Sequence, residues 1–261
     1  MKKDILFGII LFIIPFFLPS FGVSTDVGTL VTATSSVFAI VAGFFIADAM
    51  ANYLRLQTLI STENASLISI ANNAKKIDEK NFTVVHEAID NYVIAQLDEG
   101  TLSHIFSTQT QIDNLDSAIN KLQIQDEDAV SLDHLLSVKE KVAECRQEIA
   151  LAAKRNLTVG HWLTLITLGV LVILTVLAIR DGTLFMNIVA GSMMVGTLAV
   201  LVLLREMDNN HLLEKKLAYE NPREVFHAIG KQPYYPHFAP LKARVPDESG
   251  SYRLGKKGGE L

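Results

Sequence analysis

One uninterrupted stretch, Gly28–Ile77, constrains the fold of this chain more than any other feature. Residues 29–47 are apolar or small and carry no charge, and no proline or glycine follows Phe44 within the stretch. Such a run is about as long as a bilayer is thick, which takes roughly 20 helical residues. Beyond Arg55 the apolar positions recur in alternating threes and fours, the spacing of a coiled-coil seam. We therefore expect one helix that spans a bilayer and continues as a stalk in water. The seam consists of Leu56, Ile60, Glu63, Leu67, Ile70, Ala74 and Ile77.

Three further apolar runs have the composition of membrane helices, at residues 5–18, 157–179 and 184–204. The first run follows two lysines, as in a signal peptide, but no small-x-small cleavage site comes after it, so we expect a retained span. Residues 56–155 are mostly polar with helical apolar spacing, which favours four short-linked helices. The sequence thus predicts an all-α integral membrane protein with four transmembrane helices in two hairpins. A cytosolic helical bundle is expected to hang from them, with outer helices that continue the spans.

The alternation of apolar and polar segments predicts four parts. They are a first transmembrane hairpin at 1–50, a cytosolic helical bundle and stalk at 51–156, a second hairpin at 157–205, and a partly disordered cytosolic tail at 206–261. One side of the spans is rich in positive charge, carried by Lys2, Lys3, Arg55, Lys154, Arg155 and Arg205. The other side has Arg180 alone. Because positive flanks stay in the cytoplasm, we expect a multi-pass protein of the inner or plasma membrane with both termini cytoplasmic.

Composition excludes several classes of function. A formal charge of -5 argues against nucleic-acid binding. The single cysteine, Cys145, excludes an intramolecular disulfide and lies in an apolar helical seam, so we expect it to be buried. The sequence has no His-Glu-x-x-His pattern, phosphate loop or nucleophile elbow. We therefore expect no catalytic residue, no metal ligand and no cofactor.

A row of small residues lies four apart on the second span: Ser35, Ala39, Gly43, Ala47 and Ala51. In lipid such a row lets helices approach closely, either within one chain or around a symmetry axis. Just past the apolar run, Asp48 has two open roles, a carboxylate ring at a pore mouth or a salt bridge to Arg55 or Arg205. The residues expected at the membrane interface are Arg55, Arg155, Trp162 and Arg205.

Glu63 is the charged member of the apolar seam. A buried carboxylate needs a partner, so we expect it to meet Arg146, Lys154 or Arg155 of the last bundle helix. An ion or ligand site at the stalk is the alternative. The Pro-Tyr-Tyr-Pro segment at residues 233–236 has two open roles as well, a docking peptide for an aromatic groove or a segment folded back on the bundle.

The layout of a helical hairpin, a helical insert of about a hundred residues and a second hairpin resembles the bacterial and plant bestrophin-like family of unknown function. Several short motifs over residues 1–210 carry the same resemblance: Glu63-Asn64-Ala65-Ser66-Leu67 in the stalk, Tyr92 mid-helix, Arg155 before Trp162, and Glu206-x-Asp208 after the fourth span.

The resemblance implies kinship with bestrophins, which are pentameric channels for small ions with a hydrophobic constriction on the second span. It then implies a homo-oligomer in the lipid bilayer. The pore-lining residues expected on this basis are Ser35, Ala39, Gly43, Phe44, Phe45 and Asp48. The alternative is a membrane-anchored scaffold or interaction protein that uses its coiled-coil stalk and tail and transports nothing.

Overall fold

The protein is built from helices, as seen in a computed structural model that describes residues 2–19, 26–99, 104–122, 129–155, 157–209, 221–236 and 252–255. The helices are α1 (Lys2–Phe17), α2 (Asp26–Ile77), α3 (Phe82–Glu99), α4 (His104–Ser107), α5 (Gln109–Ile119), α6 (Ala129–Ala153), α7 (Val159–Ala178), α8 (Leu184–Asp208) and α9 (Asn221–Ala228). Two short strands, β1 (Tyr234–Tyr235) and β2 (Arg253–Leu254), pair in parallel. The chain divides into two compact units, residues 1–53 with 156–211 and residues 54–155 with 212–261, and α2 contributes to both.

Three described helices are long and apolar enough to cross a membrane: Gly28–Ile77, Val159–Ala178 and Leu184–Asp208. The first apolar run also forms a helix, but α1 has only 16 residues. At about 1.5 Å per residue it is shorter than the roughly 30 Å hydrocarbon core of a bilayer. Pro15 lies inside α1 without ending it.

The first unit is held together by side-chain packing between neighbouring helices. The apolar cluster at its centre includes Phe38 and Ala42 of α2, Leu165 and Val172 of α7, and Leu204 of α8. Between α2 and α7 the hydroxyl oxygens of two threonines, Thr34 and Thr175, lie 3.3 Å apart. Helix α8 packs on both α7 and α1.

The turn between α7 and α8 contains a residue whose role the sequence did not indicate. Arg180 is 1% exposed, and its Nη2 donates to the backbone carbonyls of Leu18 and Pro19. Those two carbonyls belong to the residues that follow the end of α1 at Phe17. Gly182 completes the turn with a φ of 83°, which a residue with a Cβ rarely adopts. Arg180 thereby ties the α7–α8 turn to the end of α1.

Helices α6 and α7 are separate, contrary to the expectation that the last bundle helix continues into the third span. Helix α6 ends at Ala153, and α7 begins at Val159. Thr158 caps α7 by accepting from the backbone N–H of His161, whose side chain in turn accepts from the N–H of Thr158. This reciprocal capping box satisfies the free N–H groups of a helix start and so favours a new helix here.

The second unit is a bundle whose core is made by the seam predicted for the stalk. All seven seam positions are buried, none of them more than 5% exposed. Leu67, Ile70, Ala74 and Ile77 belong to one apolar cluster with residues of α3, α5, α6 and α9. The seam therefore packs within one chain. Cys145 is also buried, at 1% exposed.

The tail folds onto this bundle. Helix α9 begins at Asn221 and is closed at Gly230, with a φ of 70°. The N–H groups of Gly230 and Lys231 bind the carbonyls of His227 and Phe226, as in a Schellman motif. Within the tail, which was expected to be partly disordered, Arg253–Leu254 forms β2 against β1. Leu212, Leu213 and Leu217, where a further helical turn was expected, lie outside the described residues.

The tight packing of α1 on α8 can be tested at Gly191. A Cβ at this position would meet the Phe12 carbonyl oxygen at 2.7 Å and its ring at 2.9 Å. Because the backbone of α1 would have to move, we expect Gly191→Ala to destabilise the protein by about 1–3 kcal/mol. Thermal unfolding of the detergent-solubilised protein measures this change as a fall in Tm.

Gly196 is the matched control on the same helix, since a Cβ there would meet nothing within 4 Å. We expect Gly196→Ala to leave Tm nearly unchanged. Equal effects of the two substitutions would contradict the close packing of α1 on α8.

Candidate functional site

The first part of α2 has one face that its own unit leaves uncovered. Phe44 is 73% exposed and Ile40, one turn earlier, is 60% exposed. Ala39 and Gly43 are exposed beside them, and a Cβ built at Gly43 would meet nothing within 4 Å. Four of the five small residues in the row, Ala39, Gly43, Ala47 and Ala51, are therefore exposed in the part of the chain that the structure describes, which favours the second of the two roles expected for them.

The opposite face of α2 is packed. Val31, Phe38 and Ala42 are buried in the apolar cluster of the first unit. Phe45 packs against this cluster, with its ring centroid 4.9 Å from that of His161. Ser35 is half-buried, and its Oγ has no hydrogen-bond partner among the residues that the structure describes.

The six residues expected to line a pore thus divide into two groups. Ala39, Gly43, Phe44 and Asp48 are exposed, whereas Ser35 and Phe45 are half-buried. Arg55, one of the two salt-bridge partners considered for Asp48, binds Glu148 at 3.0 Å. Arg155 and Arg205 are exposed.

Trp162 joins the start of α7 to the end of α8. Its Nε1 donates to Oδ2 of Asp208 at 3.1 Å, and Oδ1 of Asp208 accepts from the backbone N–H of Leu157 at 2.6 Å. One carboxylate therefore fixes both the backbone that leads into α7 and its aromatic side chain. This contact accounts for two motifs of the sequence, the tryptophan at the third span and the acidic residue after the fourth.

Glu63 lies at the centre of a buried polar network in the second unit. It is 0% exposed, and Oε1 accepts the hydroxyl of Tyr92 while Oε2 accepts from Nε2 of Gln96 at 3.3 Å. Arg146, one of the three expected partners, donates from Nη1 to the Tyr92 hydroxyl at 2.7 Å. Tyr92 thus stands between the carboxylate and the guanidinium, and it carries a hydrogen bond to each.

Burial raises the pKa of the Glu63 carboxyl above its ordinary value, since the charged form loses its hydration. The hydrogen bond from Tyr92, the charge of Arg146 and the hydrogen bond from Gln96 lower it in part. Burial, and after it the negative charge of Glu63, raise the pKa of Tyr92 well above its ordinary value. The tyrosine hydroxyl therefore keeps its proton and remains a donor.

Arg146 is 5% exposed and holds the network to α4 and to Thr108, which lies between α4 and α5. Its Nη1 also donates to the hydroxyl of Thr108 at 3.0 Å, and its Nη2 donates to the carbonyl of Ile105 at 2.8 Å. Thr108 is itself fully buried. The sequence indicated the carboxylate and its cation, but neither Thr108 nor Gln96, which are ordinary polar residues with no special spacing.

A second polar contact holds the tail. Arg253 binds both oxygens of the Asp90 carboxylate, at 2.7 and 2.6 Å, and its guanidinium lies 5.1 Å from the ring centroid of Phe226. The hydroxyl of Tyr234 donates to Asp98, and Tyr235 is buried. The Pro-Tyr-Tyr-Pro segment thus lies back on the bundle, the second of its two expected roles.

The described residues contain no group of three or more His, Cys, Asp or Glu side chains placed to hold a metal ion. His211, which follows Glu206 and Asp208 closely in the sequence, lies outside the described residues. The two features with functional potential are therefore the uncovered face of α2 and the buried network around Glu63.

The bridging role of Tyr92 predicts a large effect of removing one oxygen. Tyr92→Phe removes one hydrogen bond from a buried carboxylate and one from a buried guanidinium, so we expect a loss of about 3 kcal/mol in the free energy of unfolding. Urea unfolding followed by circular dichroism measures it. Tyr234→Phe makes the same change at an exposed hydroxyl and should cost less than about 1 kcal/mol. Similar losses in the two variants would contradict the bridge.

The raised pKa of Glu63 predicts a specific pH dependence. The folded chain holds this proton more tightly than the unfolded chain, so its contribution to stability is complete below the ordinary carboxyl pKa and is lost as pH rises through the folded-state pKa. We expect Glu63→Gln to flatten the dependence of Tm on pH as the pH rises above about 4. Glu140→Gln, at an exposed position on α6, is the control. An unchanged pH profile in Glu63→Gln would refute this assignment.

Comparison with known proteins identifies the fold and the family. Two crystal structures of a membrane protein, a glycine-to-alanine form and a leucine-to-alanine form, align with TM-scores of 0.67 and 0.68. Each is 12% identical and covers 89% of this chain and 99% of the other, so the likeness shows the fold alone. No curated protein matches the chain. The bestrophin-like domain matches residues 14–210, which include α2, the Glu63 network and Asp208. The chain therefore belongs to the bestrophin-like family of membrane proteins.

Proposed function

We propose that this protein is an oligomeric ion channel whose pore is lined by the uncovered face of α2. The observation that carries the proposal is the composition and exposure of that face. It alternates small residues, Ala39 and Gly43, with large apolar ones, Ile40 and Phe44, and none of them packs inside the first unit. Membership in the bestrophin-like family supports the same function.

The exposed face of α7 offers a contrast. It carries Leu163, Ile166, Val170 and Leu174, all of them large and aliphatic, as is usual for a face covered by lipid. On α2 the glycine and alanines allow neighbouring helices to approach closely, since association in lipid depends on packing. Ile40 and Phe44 from each copy then form apolar rings one helical turn apart. Such rings can gate a pore by excluding water.

The proposal includes the topology expected from the sequence. With four spans, of which α1 is the first, both termini and residues 51–156 lie on the cytoplasmic side of the cell membrane. The asymmetry of lysine and arginine around the spans supports this orientation. Asp48 lies one turn beyond Phe44 and is exposed. A ring of these carboxylates at the cytoplasmic end of the apolar rings would favour cations, and a pentamer is the assembly that the family resemblance suggests.

The scaffold alternative receives less support from the structure. Its main element was a stalk seam that binds partners, but Leu67, Ile70, Ala74 and Ile77 are buried against the chain's own bundle. The seam is therefore occupied. Only the exposed surfaces of the bundle and tail are left for that alternative.

Current recordings in planar bilayers test the pore. We expect Phe44→Ala to change the single-channel conductance or the open probability severalfold, because the apolar ring loses its bulk. Phe185→Ala is the matched control, since Phe185 of α8 is 72% exposed and Phe44 is 73% exposed. Its currents should equal those of the wild type. Bilayers that remain silent with both the wild type and Phe44→Ala would contradict the channel.

The mass of the detergent-solubilised particle tests the assembly. We expect several copies of the 28.7 kDa chain, and we expect Gly43→Leu to reduce that number because the side chain blocks close approach of α2 helices. Gly196→Leu places the same side chain at an equally open glycine of α8 and should leave the mass unchanged. A monomeric wild type would be incompatible with a shared pore.

A further inference from the structure

The bundle of the second unit contains a cavity of about 230 Å³ between α5 and α6. One face of α6 forms its longer wall, with Lys139, Val142, Ala143, Arg146 and Gln147 at helical spacing. Ile70 of α2 also lines the cavity. The volume is below the roughly 300–1,000 Å³ of pockets for drug-sized ligands, so it suits a smaller molecule.

The cavity is polar at its two ends and apolar between them. Ile70, Leu115 and Val142 are buried along its middle, each no more than 3% exposed. Lys139 at one end is neutralised by Asp116, with the Nζ and Oδ1 atoms 3.0 Å apart. Arg146 lies seven residues further along α6, about 10 Å at 1.5 Å per residue. A ligand in this cavity therefore meets an apolar wall and one further cationic end.

Arg146 has hydrogen-bonding capacity left over. A guanidinium has five N–H bonds, and three of them bind neutral oxygens of Tyr92, Thr108 and Ile105. No carboxylate in the described part of the chain forms a salt bridge with Arg146, because Glu63 lies behind the Tyr92 hydroxyl. The two remaining N–H bonds are on Nε and Nη2, the pair of nitrogens that grips a carboxylate side-on.

We propose that this cavity binds a small aliphatic monocarboxylate. The carboxylate binds the free edge of Arg146, and a chain of a few carbons lies against Ile70, Leu115 and Val142. The ligand supplies the negative charge that a buried guanidinium otherwise lacks in direct contact. Because Ile70 belongs to α2 and Arg146 holds Tyr92, an occupied cavity contacts the same helix and network that fix the core of the second unit. The site does not depend on whether the protein conducts ions.

Ligand-observed NMR on the full-length protein in detergent tests the site with butyrate as the probe. Butyramide has the same shape without the charge, and chloride has the charge without the chain. We expect millimolar binding of butyrate, binding of butyramide weaker by about tenfold or more because a charge-assisted hydrogen-bond pair is lost, and no displacement of butyrate by an equal concentration of chloride.

Variants that fill the cavity locate the binding. Ala143 and Gln147 line it from exposed positions on α6, so Ala143→Phe and Gln147→Phe close it without removing a buried contact. We expect at least about a tenfold loss of butyrate affinity in each. Ser137→Phe adds the same ring to an exposed α6 position outside the cavity and should bind butyrate like the wild type.

Three results would each overturn the proposal. The first is no binding of butyrate to the folded wild type at millimolar concentration, and the second is equal binding of butyrate and butyramide. The third is unchanged affinity in a cavity-filling variant whose circular dichroism spectrum matches the wild type. Either of the two cavity-filling variants is sufficient for this test if the other fails to fold.

Discussion

The structure depends on how the two faces of one long helix are covered. Helix α2 runs for 52 residues from Asp26 to Ile77, and in each unit it contributes one face to a core. In the first unit that face is Val31, Phe38 and Ala42, and in the second it is the seam from Leu56 to Ile77. What the chain does not cover in the first unit is the face with Gly43 and Phe44. An apolar face of this kind must be covered by lipid or by other copies, and its small residues favour other copies.

The network of Glu63, Tyr92 and Arg146 fixes the bundle at a single arrangement. An apolar seam alone tolerates sliding of one helix along another, whereas a buried carboxylate has to find its donors. Buried polar groups are costly unless each is satisfied, so only one register of α2, α3 and α6 retains all the hydrogen bonds. The network thus contributes specificity to the fold as well as a cationic edge to the cavity beside it.

The sequence predicted the long-range order of elements well and their contacts less well. The length of α2, the start of α9 at Asn221 and its end at Gly230 follow from local rules of periodicity and capping. Glu63 was recognisable because a charge in an apolar seam breaks a pattern. Its bridge through Tyr92 was not, because α3 is separated from α2 in sequence and no spacing rule relates them.

Other features depended on tertiary contacts in the same way. Phe44 and Phe45 are adjacent in sequence, so composition cannot tell which one faces outward; packing against His161 decides it. The break between α6 and α7 depends on Thr158 and on Asp208, which is distant in sequence. Arg180 appeared as an isolated turn residue, and only the nearby end of α1 gives it partners. The strand at residues 253–254 forms by pairing with β1, which is distant in the sequence, so the local sequence does not predict it.

The most direct test of the account combines Phe44→Cys with current recording in a bilayer. The natural Cys145 is 1% exposed, so a charged, water-soluble thiol reagent should react chiefly at the new position. If the uncovered face of α2 lines a pore, modification at position 44 will reduce or block the current. A current that persists unchanged after complete modification would contradict a pore lined by this face of α2. So would a current that flows while the aqueous reagent fails to modify Cys at position 44.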